Sequence, residues 1–511
     1  MRFRNPILPG FHPDPSICRV GDDYYLVTST FEWFPGVPIF HSRDLVHWRP
    51  IGHVLDRPGQ LNLDGIRPSG GIYAPTLRHH DGVFYLITTL VNGPAQDGNF
   101  IVTATDPAGP WSDPHWLPET DGFDPSLLFD AGGRAWLHGA RSARPSRYDG
   151  HLEVWLRELD LATMQPTGPE HALWEGALRD NVWTEGPHLY QVDGKFYLLV
   201  SEGGTGHDHA LSVARADTVT GPYTGNPRNP VLTHRNLGLD HPIVGTGHGD
   251  LVQTPGGDWW MVLLAMRPYG GYHYNLGRET FLTPVRWEDG WPVPAQVESS
   301  MPAPAPAPHP WPPVPACDQF DAPELDPAWN HLRTPRERYW DLAARPGHLR
   351  LRCRPESLTE RANPSMVARR QQHRNFAAYT VMEFAPRGGE RAGLALVQND
   401  DFHILLVRTA GRLAVVRREA GRDRVLARAE VPAGGRLWLG VAARGQDYQM
   451  SYATEPGEWR PLGDPVDGRV LSTPVAGGFI GAYIGLYASS EGGPAGNTAD
   501  FDWFEYQPLP D

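Results

Sequence analysis

The fold of this chain is decided by a short phrase, seen most clearly in Asp193-Gly194-Lys195-Phe196-Tyr197-Leu198-Leu199, where a tight turn leads into an apolar run. Asp-Gly or Gly-Gly between two apolar runs is a strong signal for a β-hairpin. The phrase occurs in four other places, at Gly21-Asp22-Asp23-Tyr24-Tyr25-Leu26-Val27, Asp81-Gly82-Val83-Phe84-Tyr85-Leu86-Ile87, Gly132-Gly133-Arg134-Ala135-Trp136-Leu137 and Gly256-Gly257-Asp258-Trp259-Trp260-Met261-Val262. Each unit therefore predicts a strand, a hairpin turn and a second strand.

The five units recur at a nearly regular spacing. Their aromatic residues Tyr25, Tyr85, Trp136, Tyr197 and Trp260 are separated by 60, 51, 61 and 63 residues. A repeat of this size is typical of a β-propeller or a solenoid.

A residue capable of chemistry or binding stands about a dozen positions before each aromatic: Asp14, Tyr73, Asp124, Glu185 and His248. Equivalent positions of a closed radial repeat converge on one axis, so these five side chains should meet. A single acid beside Gly or Pro is most often a turn residue, but three at matching positions indicate chemistry. Because like charges brought together cannot all ionise cheaply, at least one carboxyl pKa should rise, as acid/base catalysis at neutral pH requires.

Composition limits the class of protein. A chain of 511 residues with 56 Gly, 52 Pro and 18 each of Trp, Tyr and Phe suggests two domains and an all-β protein rich in turns. The net charge of −14 disfavours nucleic acid as a partner. Three cysteines without a short spacing predict neither a disulfide framework nor a zinc site.

The N-terminal stretch lacks an apolar signal region, and the apolar run at 259–266 is much shorter than the roughly 20 residues that span a bilayer. We therefore expect no membrane partner and a cytoplasmic location, where any polymer would be met as short imported fragments. We also expect a homo-oligomer.

After the repeats the sequence becomes rich in Pro, and beyond residue 317 it contains short strand-like runs. We predict a catalytic repeat domain over residues 1–300, a Pro-rich linker over 301–316, where alternating Pro favours an extended spacer, and a β-sandwich over 317–511. Short strand-like runs such as 402–407 and 413–416 support the sandwich.

Two further residues, Phe31 and Arg278, join the candidate site, and His248 has two possible roles. Phe31 offers an aromatic face for a sugar ring, although it could equally fill the core of a repeat. Arg278 follows Gly277, which allows close approach of the backbone; the alternative, an ion pair with Glu279, is weakened because adjacent strand residues face opposite ways. His248 is either an ordinary hydrogen-bonded histidine or a ligand to a cation that is otherwise hydrated or oxygen-bound.

Several motifs resemble the β-xylosidases of glycoside hydrolase family 43, namely 5–16 (NPILPGFHPDPS), 28–37 (TSTFEWFPGV), 42–48 (SRDLVHW), 184–190 (TEGPHLY) and 499–504 (ADFDWF). The resemblance implies an all-β protein, a five-bladed β-propeller followed by a β-sandwich. It also implies roles: Asp14 as general base, Glu185 as general acid, and Asp124 as the acid that orients Glu185. Arg278 and Phe31 match substrate-binding residues, and some relatives hold calcium near the position of His248, although no cofactor is expected to be required.

The expected activity is an exo-acting, inverting 1,4-β-xylosidase that releases xylose from xylobiose and short xylo-oligosaccharides. Close relatives often carry Trp where this chain has Tyr73, which leaves α-L-arabinofuranosidase activity, alone or as a side activity, as an alternative. Two further alternatives remain. One is a retaining enzyme of the fructan-processing kind, which would carry a different sequence motif. The other is a non-catalytic carbohydrate-binding propeller, which would need no carboxylates at matching positions.

One segment of the C-terminal region bears on exo action. Residues 478–484 (GFIGAYI) either place an aromatic over the mouth of the repeat domain or fill the sandwich core with Phe479 and Tyr483. Since these two residues lie four apart, a regular strand would put them on one face.

Overall fold

A computed structural model describes residues 1–494 and 496–510 of the chain. Within these residues the regular helices are a single α-helical turn, Thr473–Ala476, and the 3-10 turns Arg235–Leu237 and Gly468–Leu471. The all-β expectation is confirmed. No helix in the described part of the chain has both the length and the apolar character needed to cross a membrane.

The repeat region folds into five antiparallel sheets of four or five strands, numbered here in chain order. Sheet 1 contains Ser16–Val20, Asp23–Val27, Gly36–Ser42 and Arg49–Leu55, and sheet 2 contains Gly71–Ile72, Thr76–His80, Val83–Val91, Gly98–Ala104 and His115–Trp116. Sheet 3 contains Phe123–Phe129, Ala135–Ser142, Leu152–Asp160 and Gln165–Trp174. Sheet 4 contains Glu185–Val192, Lys195–Glu202, Ala210–Ala216, Thr224–Gly225 and Leu232–Thr233. Sheet 5 contains Val244–Gln253, Trp259–Met266, Glu279–Glu288 and Trp291–Pro294.

The predicted hairpins are the inner pairs of these sheets, and their leading strands close a ring in which sheet 5 packs against sheet 1. Hydrogen bonds bridge each pair of neighbouring sheets: Leu77 N to Ser16 Oγ, Thr76 Oγ1 to Pro125 O, Gly186 N to Asp124 Oδ2, His248 N to Ser201 Oγ, and Ser16 Oγ to Asp250 Oδ2. The ring brings the start of every leading strand to one axis.

Two short strand pairings join segments that are far apart in the chain. Arg2–Arg4 pairs with Ser300–Pro302, and Trp33–Phe34 pairs with His331–Leu332. The Pro-rich stretch then runs along sheet 1, where the indole of Trp311 donates to the carbonyl of His47 at 3.1 Å.

The C-terminal region forms two sheets that share one apolar core. The larger contains Cys317–Asp318, Trp340–Asp341, Leu349–Arg352, Phe376–Glu383, Arg436–Arg444, Asp447–Ala453, Arg460–Pro461, Val466–Asp467 and Thr498–Pro508. The smaller contains Ser365–Arg370, Arg391–Asn399, Phe402–Thr409, Arg412–Glu419, Arg422–Glu430 and Tyr483–Ser489. Alternating apolar residues from both sheets, such as Leu439 and Leu394, meet between them, as expected for sheets packed face to face.

The smaller sheet packs against the ring. Tyr483 is fully buried, and its aromatic side chain stacks on the indole of Trp33 with centroids 3.7 Å apart. Phe11 and Phe31 join the same apolar cluster, so Tyr483 at the start of the strand Tyr483–Ser489 packs against the segments on either side of the first hairpin of sheet 1.

Candidate active site

A cavity of about 530 Å3 opens on the axis of the ring. All seven residues predicted to form the site line it: Asp14, Phe31, Tyr73, Asp124, Glu185, His248 and Arg278. A cavity of this size, with mostly apolar walls and a few polar groups, is typical of a small-molecule site.

The backbone presents the axial side chains in an unusual conformation. Asp14, Asp124 and His248 have φ values of 52°, 52° and 46°, and Gly186, next to Glu185, has a φ of 57°. The left-handed region costs a non-glycine residue on the order of 1–3 kcal/mol and is concentrated at functional sites. The sheet register also shifts after Phe123 and after Glu185, and such β-bulges redirect side chains.

Asp14 is held at both carboxylate oxygens. Nη1 of Arg278 donates to Oδ1 at 2.8 Å, and Oγ of Ser29 donates to Oδ2 at 2.7 Å. Nδ1 of His248 lies 3.8 Å from Oδ1. These partners fix the orientation of a buried carboxylate whose charge a guanidinium balances.

The other two acids have raised pKa values, as the clustering predicted. Burial raises the pKa of Glu185 well above its ordinary value, and the charges of Asp124 and Asp14 raise it further. Burial raises the pKa of Asp124 to about 6, with a smaller contribution from Asp14, while His248 and the N–H of Gly186 oppose the rise. Glu185 is therefore the group best placed to carry a proton at neutral pH.

Arg278 connects the acids to the aromatic wall. Its Nη1 donates to Oγ1 of Thr205 at 3.2 Å, and its Nε donates to the carbonyl of Phe479 at 3.3 Å. The guanidinium lies 5.4 Å from the ring centroid of Phe31 and 5.6 Å from that of Phe479. The alternative ion pair with Glu279 does not form, because Glu279 is paired with Arg267 at 2.7 Å.

Phe31, Tyr73 and Phe479 form the aromatic wall. Their ring centroids lie 5.0 Å (Phe31 to Tyr73), 6.0 Å (Phe31 to Phe479) and 6.3 Å (Tyr73 to Phe479) apart. The hydroxyl of Tyr73 donates to the carbonyl of Ser69 at 2.8 Å, and Oγ of Ser69 accepts the N–H of Phe479 at 2.9 Å. Burial raises the pKa of Tyr73 to about 12, so its hydroxyl stays protonated.

Phe479 and Tyr483 do not share a face, contrary to the expectation for a regular strand. The strand begins only at Tyr483, and residues 477–482 form a loop. The side chain of Phe479 is 37% exposed and reaches the cavity, whereas Tyr483 is buried against Trp33. The expectation of an aromatic at the cavity therefore holds for Phe479, whereas filling of the sandwich core is wrong for both residues, because Tyr483 packs on the outer side of the smaller sheet in the cluster that contains Trp33.

The cavity also contains residues that the sequence reasoning missed, among them Trp183, Thr205 and His209. They stand in loops or at a strand start outside the repeated phrase, so the repeat gave no signal for them. Burial lowers the pKa of His209 to about 3, which keeps its imidazole neutral. The sequence did offer one indication for Trp183: it lies two residues before Glu185, and residues two apart in an extended segment face the same side.

The side chains around His248 do not form a cation cage. Among residues 1–494 and 496–510, no three His, Cys, Asp or Glu side chains come together as a metal-binding group. Ca2+ takes about six to eight oxygen ligands, whereas His248 offers nitrogen and the nearby Asp14 is already held by Arg278 and Ser29. No step proposed below passes through a cation.

Comparison with known families agrees with this site. The family described as "Glycosyl hydrolases family 43" matches residues 3–292, and the "Beta xylosidase C-terminal Concanavalin A-like domain" matches residues 317–507. The chain belongs to glycosyl hydrolase family 43. It is therefore a glycoside hydrolase, and the alternative of a non-catalytic carbohydrate-binding protein is set aside.

Similar proteins cover nearly the whole chain. A xylosidase/arabinosidase of Butyrivibrio fibrisolvens is 43% identical over 98% of both chains, and a non-reducing end α-L-arabinofuranosidase of Bacteroides ovatus is 40% identical over 99% of this chain and 95% of its own. The crystal structure of a xylan β-1,4-xylosidase from Bacillus halodurans C-125 superposes with a TM-score of 0.94 at 39% identity, covering 99% of this chain and 100% of its own.

Proposed function

We propose that this glycoside hydrolase is an exo-acting, inverting 1,4-β-xylosidase that releases xylose from xylobiose and short xylo-oligosaccharides, built as a five-bladed β-propeller followed by a β-sandwich. One observation carries the proposal: Asp14, Asp124 and Glu185 share one cavity but have different partners. Two carboxyl groups in different environments are what an acid and a base acting together require.

The environments assign the roles. Asp14, held by Arg278 and Ser29, takes a proton from the attacking water. Glu185, whose pKa is raised by burial and by the neighbouring acids, gives its proton to the leaving oxygen. Inversion needs these two carboxyls roughly 6.5–9.5 Å apart, so that water fits between the base and the anomeric carbon. Asp124 sustains the raised pKa of Glu185.

The aromatic wall supports exo action. Phe31 and Tyr73 come from sheets 1 and 2 or their connections, while Phe479 comes from the C-terminal region. Together they close the cavity beside Arg278 and Asp14, so that a terminal sugar is accepted there and a continuing chain is excluded.

An α-L-arabinofuranosidase, alone or as a side activity, is the second candidate. Tyr73 in the aromatic wall favours it, because its hydroxyl is committed to Ser69 and its ring alters the shape offered to the terminal sugar. The similar protein of Bacteroides ovatus is named for that activity.

Two measurements test the proposal. Initial rates on xylobiose and on α-L-arabinofuranosides decide the sugar, and a strong preference for the arabinofuranosides would replace the first candidate with the second. Proton NMR during early hydrolysis of a β-xyloside decides the stereochemistry: α-xylose should appear first, and β-xylose as first product would indicate a nucleophilic carboxylate and a retaining mechanism.

The remaining features stay predictions. They are the division at residues 1–300, 301–316 and 317–511, a cytoplasmic location, self-association into a homo-oligomer, and catalysis that requires no cofactor. Removal of calcium by a chelator should leave turnover within about twofold, since the side chains around His248 form no cation cage.

A further inference from the structure

Trp183 is the most exposed aromatic of the cavity. Its side chain is 42% exposed, whereas Phe31 is 2% exposed. It lies two residues before Glu185, and both side chains line the cavity. An aromatic ring that stays open to solvent beside a catalytic acid has a face available for a ligand.

Two glycines from different loops lie against the pyrrole side of this indole. A Cβ at Gly150 would lie 3.4 Å from the indole atoms Cε2 and Nε1, and one at Gly204 would lie 3.2 Å from Cδ1. Both glycines have positive φ values, 76° and 73°. A Cβ at Gly204 would therefore press on the indole and one at Gly150 would be in contact with it, so the backbone at both glycines lies close to the ring.

The backbone on both sides of Trp183 is anchored as well. The N–H of Trp183 donates to the carbonyl of Gly150 at 2.8 Å, and the N–H of Gly203 donates to the carbonyl of Val182 at 2.9 Å. Trp183 itself has a φ of 59°, a conformation that is costly for a bulky residue and persists only where the surroundings impose it. Because the side chain of Trp183 is exposed, packing of the core does not explain why its backbone is anchored in this conformation.

The aromatic residues of the cavity thus fall into two groups. Phe31, Tyr73 and Phe479 gather around Arg278, the partner of Asp14, where the terminal sugar is expected. Trp183 stands with Glu185, which must reach the oxygen that joins the terminal sugar to the leaving group. We infer that Trp183 is the stacking platform for the leaving-group sugar, the second pyranose ring of a xylo-oligosaccharide, and so a determinant of preference for oligosaccharides over simple glycosides.

This inference rests on the proposed function, and a pair of substrates separates the two. Xylobiose and methyl β-D-xyloside both need protonation by Glu185, but only xylobiose presents a ring to Trp183. Trp183→Ala and Trp183→Leu should each lower kcat/KM on xylobiose about tenfold, chiefly through KM, the effect expected from loss of one stacked ring. Both variants should leave methyl β-D-xyloside within about twofold of the wild type, and Trp183→Phe should keep most activity on xylobiose.

Trp459→Ala is the matched control, because Trp459 is similarly exposed at 38% but lies in the C-terminal region; it should change neither substrate. An equal loss on both substrates would overturn the inference, since Trp183 would then serve Glu185 and not the sugar. Full activity of Trp183→Leu on xylobiose would also overturn it. Should the wild type cleave only arabinofuranosides, the proposed function fails. The same variants are then compared on arabinobiose and methyl α-L-arabinofuranoside: a loss confined to arabinobiose supports the stacking role, and an equal loss on both substrates overturns it.

Discussion

The backbone N–H of Gly186 donates to Oδ2 of Asp124 at 2.9 Å, so the third acid of the cavity is fixed against the residue that follows Glu185. A larger residue at position 186 would be strained, because Gly186 has a φ of 57° and a Cβ there would lie 3.0 Å from the ring of His248. This contact joins sheets 3 and 4 and sets the distance over which the charge of Asp124 acts on Glu185. The charge of Asp124 therefore raises the pKa of Glu185 from a fixed position.

Asp124→Asn should move the alkaline limb of the pH–rate profile to lower pH. The charge of Asp124 raises the pKa of Glu185, so removing that charge lets Glu185 lose its proton at lower pH. Asparagine keeps an acceptor for Gly186 and tolerates the positive φ. The measurement is kcat/KM on xylobiose across pH, with Asp130→Asn, a carboxylate of the same sheet that is bound to Trp136 outside the cavity, as control. An unmoved limb would remove Asp124 from the tuning role.

Glu185→Ala should be sensitive to the leaving group. Loss of a general acid costs about 10²–10⁴-fold where the leaving oxygen needs a proton, so xylobiose should suffer most. A 2,4-dinitrophenyl β-xyloside leaves readily as an anion and should lose far less. Asp14→Ala should instead depress both substrates, because water activation is needed for each. Equal losses on the two substrates in the Glu185 variant, with the fold intact by circular dichroism, would place the acid elsewhere.

Phe479→Ala and Tyr483→Ala form a matched pair four residues apart. Tyr483 is fully buried and stacked on Trp33, so its truncation should reduce the free energy of unfolding by about 3–5 kcal/mol. Phe479 is 37% exposed over the cavity; its truncation should leave the melting temperature nearly unchanged and raise KM for xylobiose. Early melting of both variants with unchanged kinetics in the surviving protein would make the segment purely structural.

The repeated phrase predicted the hairpins of all five sheets and the convergence of Asp14, Tyr73, Asp124, Glu185 and His248, because both follow from local turn chemistry and from the register of a repeat. It could not predict Phe479, since the loop at 477–482 meets the cavity through long-range packing, with Phe479 against Phe31 in the connection between two strands of sheet 1. The position of Trp183 could not be predicted for a related reason: it depends on contacts with Gly150 and Gly204, which are distant in sequence. Long-range packing leaves no periodic signal.

Asp250, two residues after His248, illustrates the same limit. Its fully buried carboxylate accepts hydrogen bonds from Ser16 and Ile17 of sheet 1, from Arg78 of sheet 2 at 2.8 and 3.2 Å, and from Tyr190 of sheet 4 at 2.6 Å. It therefore links three other sheets to its own beneath the cavity. Although burial alone would raise the pKa of Asp250, Arg78, His188 and Tyr190 hold it well below its usual range.

Asp250→Asn should destabilise the ring in a pH-dependent way. A carboxyl whose pKa is depressed on folding contributes stability that is fully present above its unfolded pKa of about 3.9 and is lost as pH falls toward the folded value. The variant lacks this contribution and leaves the guanidinium of Arg78 buried without its partner, so the free energy of unfolding at pH 7 should fall by about 3–5 kcal/mol. The difference in free energy of unfolding between wild type and variant should narrow as pH falls below about 4, because protonation of the wild-type carboxylate then removes its stabilising contribution.

Denaturant unfolding monitored by tryptophan fluorescence at pH 7, 5 and 3.5 measures both effects. The control is Asp113→Asn, whose carboxylate forms an exposed ion pair with Arg57; it should change the free energy of unfolding by less than about 1 kcal/mol. A loss at pH 7 no larger than that of the Asp113 variant would show that the five sheets hold together without this buried charge.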